Sequence, residues 1–149
     1  MNFRKVVRTV DTSNFYFQMI EPEKLRAQYN PERFHIWKSL HDAPGKDFLH
    51  MLYSPHYRFL LDSNDKTYYQ LQKKFGRNDK WIKKKIEKFI GVYESIMKRG
   101  FIENVSALEK PIVQNKFNNS FEIFEGHHRV AIALALGIKV IPCEIVRRK

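Results

Sequence analysis

Apolar residues recur at helical spacing between residues 81 and 99, in the middle of the chain. They are Ile82, Ile86, Phe89, Ile90, Tyr93, Ile96 and Met97, and most of the lysines fall on the opposite face. This period is typical of an amphipathic helix that packs one face on a core. Asn78 or Asp79 can cap its start, and Gly100 stands where a left-handed residue often ends a helix.

Shorter apolar runs after this helix predict further elements. They are strands over residues 105–115, 118–124 and 138–146, a polar turn over 115–120, and a helix over 129–136 that closes at Gly137. Pro142 lies inside the last predicted strand and has no N–H to donate. We therefore expect this strand to be an edge strand or to contain a bulge.

The first half of the chain has weaker patterns. Residues 3–10 alternate as a strand could, and residues 31–40 and 65–75 have apolar positions at helical spacing. Residues 53–60 mix aromatic and polar side chains and predict a turn. A chain of 149 residues is normally one domain. We expect a single domain over 1–149, with an N-terminal elaboration over 1–78 and a core over 79–149.

The formal net charge of +11 indicates an anionic partner. Nucleic acid, a membrane surface and a phosphorylated small molecule are all compatible with this charge. The lysine run at 83–85 could contact nucleic acid, but such runs are more often the solvated face of an amphipathic helix. Charge alone does not choose among the three partners.

Two features of the sequence bear on its cellular location. No apolar run is long enough to span a membrane, and the N-terminus lacks the apolar core of a signal peptide, so we expect a cytoplasmic location.

Cys143 is the only cysteine, which excludes an internal disulfide. Its apolar surroundings indicate a small buried side chain rather than a reactive thiol.

The run Phe-Glu-Gly-His-His-Arg at residues 124–129 outlines a phosphate site. It predicts a strand that breaks at Gly126 and turns into a buried helix. The first turn of a helix has N–H groups without intrahelical partners and a partial positive charge. His127, His128 and Arg129 would add donors, and Gly126 would let the backbone approach a ligand closely.

The same run raises the question of a metal. Adjacent residues on a helix point about 100° apart, so His127 and His128 do not readily share one ion. No second cluster of spaced ligands completes a zinc site. Mg²⁺ carried in with a nucleotide is the more natural ion, because it needs only one or two carboxylates. Glu125 could hold that ion or accept a proton, and a plain ion pair with Arg129 is the alternative.

Several segments together resemble the ParB/sulfiredoxin superfamily. They are residues 111–113 and 121–129, Gly137, and residues 140–142. Sulfiredoxins carry a cysteine where His127 stands, so sulfinic-acid reduction is excluded, and partition ParB proteins carry Gly-Glu-Arg-Arg instead. The box is most similar to the Asp-Gly-His-His-Arg of the free serine kinases, with Glu125 in place of the aspartate. The resemblance covers roughly the last third of the chain.

This resemblance implies an α+β fold, a small mixed sheet packed by helices, with an N-terminal helical or irregular elaboration. It implies a kinase that uses ATP or ADP with Mg²⁺ and phosphorylates a hydroxyl of a small serine-like, sugar or polyol metabolite. The residues that would cradle the phosphates are Gly126, His127, His128 and Arg129, and Glu125 would hold metal or act as base. Free serine kinases also use an upstream glutamate as base. Among His56, Asp62 and Asp65, we choose His56 as the substrate-side catalytic group, the alternative being a turn histidine packed on a tyrosine.

Two other functions stay open. A ParB-like nucleotide-binding or DNA-binding module without kinase activity agrees with the fold and the charge. The missing Glu-Arg-Arg signature and the absence of a recognisable helix-turn-helix count against it. A degenerate member of the superfamily could also bind a ligand without turning it over. The sequence does not indicate the oligomeric state.

Overall fold

A computed structural model describes residues 15–28, 49–101, 110–115 and 120–146. In these residues, four helices pack with a mixed, curled sheet of five strands, which confirms the α+β class. The strands are β1 (Phe15–Ile20), β2 (Leu25–Arg26), β3 (Ile112–Asn115), β4 (Phe121–Glu125) and β5 (Ile141–Val146). The helices are α1 (Pro55–Leu61), α2 (Thr67–Lys74), α3 (Asp79–Arg99) and α4 (His127–Ala135), with 3₁₀ turns at Pro22–Lys24 and Met51–Tyr53.

Several predicted elements fall partly or wholly outside the described residues. The predicted strand over 3–10 and the predicted helix over 31–40 lie outside them, as do residues 105–109 of one predicted strand. Residues 116–119 of the predicted turn also lie outside them.

The sheet takes strands from both halves of the chain. Its order is β1-β5-β3-β4-β2. The β1–β5 and β3–β4 pairs are antiparallel, whereas β3–β5 and β2–β4 are parallel. Within the described sheet, β1 and β2 are the two edges. The segment predicted to be an elaboration thus supplies both edge strands to the sheet built by β3, β4 and β5.

The prediction of an edge strand or bulge around Pro142 is wrong, because β5 lies between β1 and β3 with a regular register against β1. The N–H of Glu144 donates to the carbonyl of Pro111, on the β3 side, at 2.8 Å. The nitrogen of Pro142, two residues earlier, faces the same side, since strand geometry repeats every two residues. In the described residues, the register with β3 begins only at Glu144. Pro142 therefore occupies a position where this pairing needs no N–H.

Helix α3 confirms the amphipathic helix predicted from the periodicity of the sequence. Its apolar stripe buries Ile82, Phe89 and Ile96, and the Asn78 side chain accepts a hydrogen bond from the Trp81 N–H at 2.8 Å. Gly100 follows the helix at φ +88° and ψ 161°, a glycine conformation outside the left-handed helical region. The helix therefore ends where it is predicted to end, but Gly100 has a more extended backbone than the predicted left-handed conformation.

The predicted turn over residues 53–60 is wrong, because most of this segment is helix α1. The Ser54 hydroxyl caps the helix by accepting from the Tyr57 N–H at 3.0 Å, and Pro55 occupies the first turn. Both residue types are favoured there. The predicted helix over 65–75 is confirmed as α2. Helix α1 packs against both α2 and α4.

Helix α4 is the central helix of the core. It begins at His127, two residues before the predicted start, and its residues Val130, Ala131, Ile132 and Ala133 are fully buried. Cys143 is buried in β5, and burial raises the pKa of its thiol to about 12, so the expected inert side chain is confirmed. In the described part of the chain, no helix has the length and apolar character needed to cross a membrane.

Candidate functional site

Gly126 joins β4 to α4 in a conformation that only glycine adopts readily. Its φ of +107° and ψ of 22° lie in the left-handed region. A Cβ placed on Gly126 would lie 2.8 Å from the Cα of Pro111, too close for any real side chain. The start of α4 is therefore pressed against the residue that precedes β3, which fixes where the helix begins.

The first turn of α4 opens into a cleft of about 690 Å³. Its described lining residues are Gln28, His56, Leu71, Gln72, Lys74, Phe75, Arg77, Trp81, Lys85, Phe124, Glu125, Gly126, His127 and His128. Five of the six site residues predicted from the sequence therefore line one cleft. The sixth, Arg129, is half-buried on α4 and is not among the lining residues.

His127 connects the cleft to the end of β2. Its Nε2 accepts a hydrogen bond from the backbone N–H of Gln28 at 3.2 Å. An Nε2 that accepts places the proton of a neutral imidazole on Nδ1. His127 therefore presents a fixed ring in the first turn of α4.

His128 lies at the floor of the cleft in an aromatic environment. Its Nε2 and the hydroxyl of Tyr68 are 2.8 Å apart, and its ring meets Phe89 edge-on at 4.7 Å between centroids. Desolvation, with additional repulsion from Lys85, His127 and Lys88, lowers the pKa of His128 to about 3. His128 is therefore neutral at pH 7 and cannot supply the positive charge that its place in a phosphate site suggests.

His56 packs against both other histidines. Its ring centroid lies 4.5 Å from that of His128 and 6.2 Å from that of His127, nearly parallel to the latter. It also meets Tyr68 edge-on at 5.2 Å. Only 6% of the His56 surface is exposed. Its ring therefore packs beneath the cleft surface against the two histidines of the first turn of α4.

The acidic candidates lie in different places. Glu125 ends β4 and is the only carboxylate among the described lining residues of the cleft. Asp65 accepts hydrogen bonds from the Thr67 N–H and from Arg58, with which it forms a salt bridge at 3.0 Å. Asp62 is exposed and ends α1. The structure thus brings Glu125 to the cleft and leaves both aspartates outside its lining.

The sequence did not predict that a group of cationic side chains, the cationic wall, also lines the cleft. This wall consists of Lys74, Arg77 and Lys85, together with Trp81. The guanidinium carbon of Arg77 lies 4.5 Å from the centre of the Trp81 ring. Burial, with repulsion from Lys88 and Arg77, lowers the pKa of Lys85. The spacing of residues 77, 81, 85 and 88, close to one helical face, was the available signal.

Neither a cluster of metal ligands in the described residues nor a known relative assigns a function to this chain. Among the described residues, no group of three or more His, Cys, Asp or Glu side chains could hold a metal ion. No family model, curated protein or solved structure matches this chain. The cleft and its lining residues are therefore the structural basis for a function.

Proposed function

We propose that the protein is a nucleotide-dependent kinase, which transfers a phosphoryl group from ATP or ADP to a hydroxyl of a small metabolite. The observation that carries the proposal is the shared cleft. The first turn of α4, Glu125 and the cationic side chains of α2 and α3 all line it. The Glu-Gly-His-His-Arg box adds the resemblance to free serine kinases.

The geometry of the box supports a phosphate ligand at the start of α4. Backbone N–H groups in the first turn of a helix bind anions, and Gly126 leaves no side chain between them and the cleft. His127 would donate through a ring that Gln28 holds in place. His128 and His56 are positioning residues in this proposal. His128 is neutral and half-buried, and His56 is 6% exposed and stacks on the ring of His127.

Phosphoryl transfer requires positioning and charge neutralisation more than covalent chemistry from the protein. The acceptor hydroxyl oxygen would form a bond to the terminal phosphorus. The bond from that phosphorus to the bridging oxygen would break, leaving the shortened nucleotide. The hydroxyl proton would pass to the Glu125 carboxylate, which is the acid at hand in the described lining.

The residues fit a magnesium ion that arrives with the nucleotide. Such an ion keeps several waters and needs one or two carboxylates besides phosphate oxygens. Glu125 is the lining carboxylate that could supply one of them, as the alternative to acting as the base. Bound Mg²⁺ would neutralise charge on the transferred group.

Phosphoryl transfer to candidate metabolites, measured for wild type and for Glu125→Gln, tests the proposal. Glu122→Gln makes the same change three residues earlier on β4, outside the cleft lining. We expect Glu125→Gln to lower turnover by about 100-fold or more and Glu122→Gln to leave it near wild type. Equal activity in all three proteins would contradict the role of Glu125, and absence of turnover with any acceptor would contradict the kinase.

A second candidate is a nucleic-acid-binding module, which the exposed lysines of α3 favour. Lys80, Lys83, Lys84 and Lys88 are all exposed on this helix. A salt titration of duplex DNA binding separates the two functions. Micromolar affinity that falls steeply with salt would support the module, whereas weak binding would support the enzyme.

A further inference from the structure

We infer that Lys85 and Arg77 form a phosphate-binding wall, through which the cleft takes a ligand with two or more linked phosphoryl groups. This inference deepens the proposed function and concerns the same cleft. It rests on Lys85 of α3 and on Arg77, two residues before this helix, both of which line the same cleft as Gly126, His127 and His128.

Lys85 differs from the two lysines that precede it. Lys83 and Lys84 are exposed, whereas Lys85 is half-buried and lines the cleft. Three consecutive residues on a helix point in three directions about 100° apart, so only one of them faces the cleft. The lysine run is thus two solvated side chains and one cleft residue.

Lys85 has other cationic side chains close to it. Lys88 and Arg77 lie close enough to lower the pKa of Lys85 further, in addition to the effect of its burial. Lys85 and Lys88 also lower the pKa of His128 at the floor of the cleft. Within the described lining, Glu125 is the single carboxylate against this group. Concentrated positive charge in a concave, partly desolvated site attracts a polyanion strongly.

Arg77 is held in place by the ring of Trp81. A guanidinium 4.5 Å from an indole centroid is in the range of a cation–π contact. This contact restricts the side chain before a ligand arrives, and a guanidinium matches phosphate geometry with paired donors. The cleft volume of about 690 Å³ lies within the roughly 300–1,000 Å³ typical of small-molecule sites.

Binding of tripolyphosphate and of ATP to the full-length protein, measured by calorimetry at fixed salt, tests this wall. The test variant is Lys85→Met, and Lys83→Met and Lys84→Met are its matched controls. Each of the three substitutions removes one positive charge from α3. Thermal melts of the unliganded variants establish that all of them fold. Arg77→Gln serves as a second test of the wall.

We expect Lys85→Met to weaken tripolyphosphate and ATP binding by about tenfold or more, and both controls to change it by less than about twofold. Arg77→Gln should also weaken binding, and orthophosphate should bind much more weakly than tripolyphosphate. Tighter binding of ATP than of tripolyphosphate would identify a nucleotide as the source of the phosphates. Tighter binding of tripolyphosphate would identify an inorganic polyphosphate.

Equal losses in all three lysine variants would overturn the inference, because they would indicate general attraction of anions or nucleic acid to the helix. Unchanged binding in Lys85→Met would overturn it as well. A different result would contradict the proposed kinase alone. ATP binding that depends on Lys85 but is not followed by phosphoryl transfer would contradict the proposed function and support the phosphate-binding wall. Transfer that does not depend on Lys85 would keep the kinase and contradict the wall.

Discussion

The hydroxyl of Tyr68 on α2 is hydrogen-bonded to the Nε2 of His128 on α4, at 2.8 Å. The bond joins the helix that borders the cleft to the helix whose first turn opens into it. Tyr68 has no exposed surface, and burial raises its pKa, so the phenol keeps its proton over the physiological range. This pair links the architecture of the core to the candidate site.

We expect Tyr68→Phe to lower the free energy of unfolding by about 1–3 kcal/mol, because it leaves a partly buried ring nitrogen without this partner. Urea denaturation measures the change. Tyr57→Phe removes a hydroxyl from a half-buried tyrosine on α1 and should cost no more than about 0.5 kcal/mol. Equal stability of Tyr68→Phe and wild type would show that this hydrogen bond does not hold α2 to α4.

The pH dependence of stability should carry the signature of His128. Its pKa in the folded protein is about 3, against an ordinary value of 6.5, so between these values the unfolded chain binds a proton that the folded protein refuses. Above about pH 6.5 the ring is neutral in both states, and as the pH falls from there towards 3 the free energy of unfolding decreases. The slope in this window is about 1.4 kcal/mol per pH unit.

Urea denaturation between pH 4 and 7 for wild type and His128→Gln isolates this group, since all other ionisable side chains are the same in both proteins. We expect the free energy of unfolding of the variant to fall less steeply with decreasing pH, because unfolding takes up about one proton fewer than in wild type. NMR should find the His128 ring neutral down to pH 4. A His128 resonance that titrates near pH 6.5 would contradict the desolvation of this ring by its neighbours.

Gly126→Ala should destabilise the protein through both strain and collision. The backbone at φ +107° disfavours any side chain, and the new Cβ would meet the backbone of Pro111. Strain alone costs about 1–3 kcal/mol, and the collision adds to it. Gly76→Ala is the matched control, since Gly76 has φ +84° but nothing within 4 Å of an added Cβ. If the two variants cost the same free energy in chemical denaturation, the close approach of Pro111 does not constrain the start of α4.

The sequence predicts those parts of the fold whose local pattern agrees with their tertiary setting. The stripe of α3, with its Asn78 cap, and the apolar run of α4 are of this kind. Helix α1 was missed because its aromatic residues pack on α2 and α4 rather than forming a stripe of their own, although Ser54 and Pro55 mark its start. Strand β1 was missed because a short edge strand is defined by its partner, here β5.

The candidate site divides in the same way. The box at Glu125 to His128 is contiguous in sequence, and the glycine before two histidines marks it. The cationic wall depends on which way α3 is rotated against the core. Sequence alone did not separate Lys85 from Lys83 and Lys84, because their exposure follows from packing of the whole helix. The neutral state of His128 likewise follows from its desolvation in the folded chain and from the nearby lysines of α3.

The most direct test of the account is whether the cleft binds a polyphosphate ligand. Thermal unfolding of the full chain with ATP, ADP, CTP or pyrophosphate, each with Mg²⁺, measures this. A ligand present at 100 times its dissociation constant stabilises the folded state by about 2.7 kcal/mol, a shift of several degrees for a chain of this size. We expect such a shift with at least one nucleotide and with pyrophosphate, and a smaller one in Lys85→Met. No shift with any of the four ligands would contradict the assignment of the cleft.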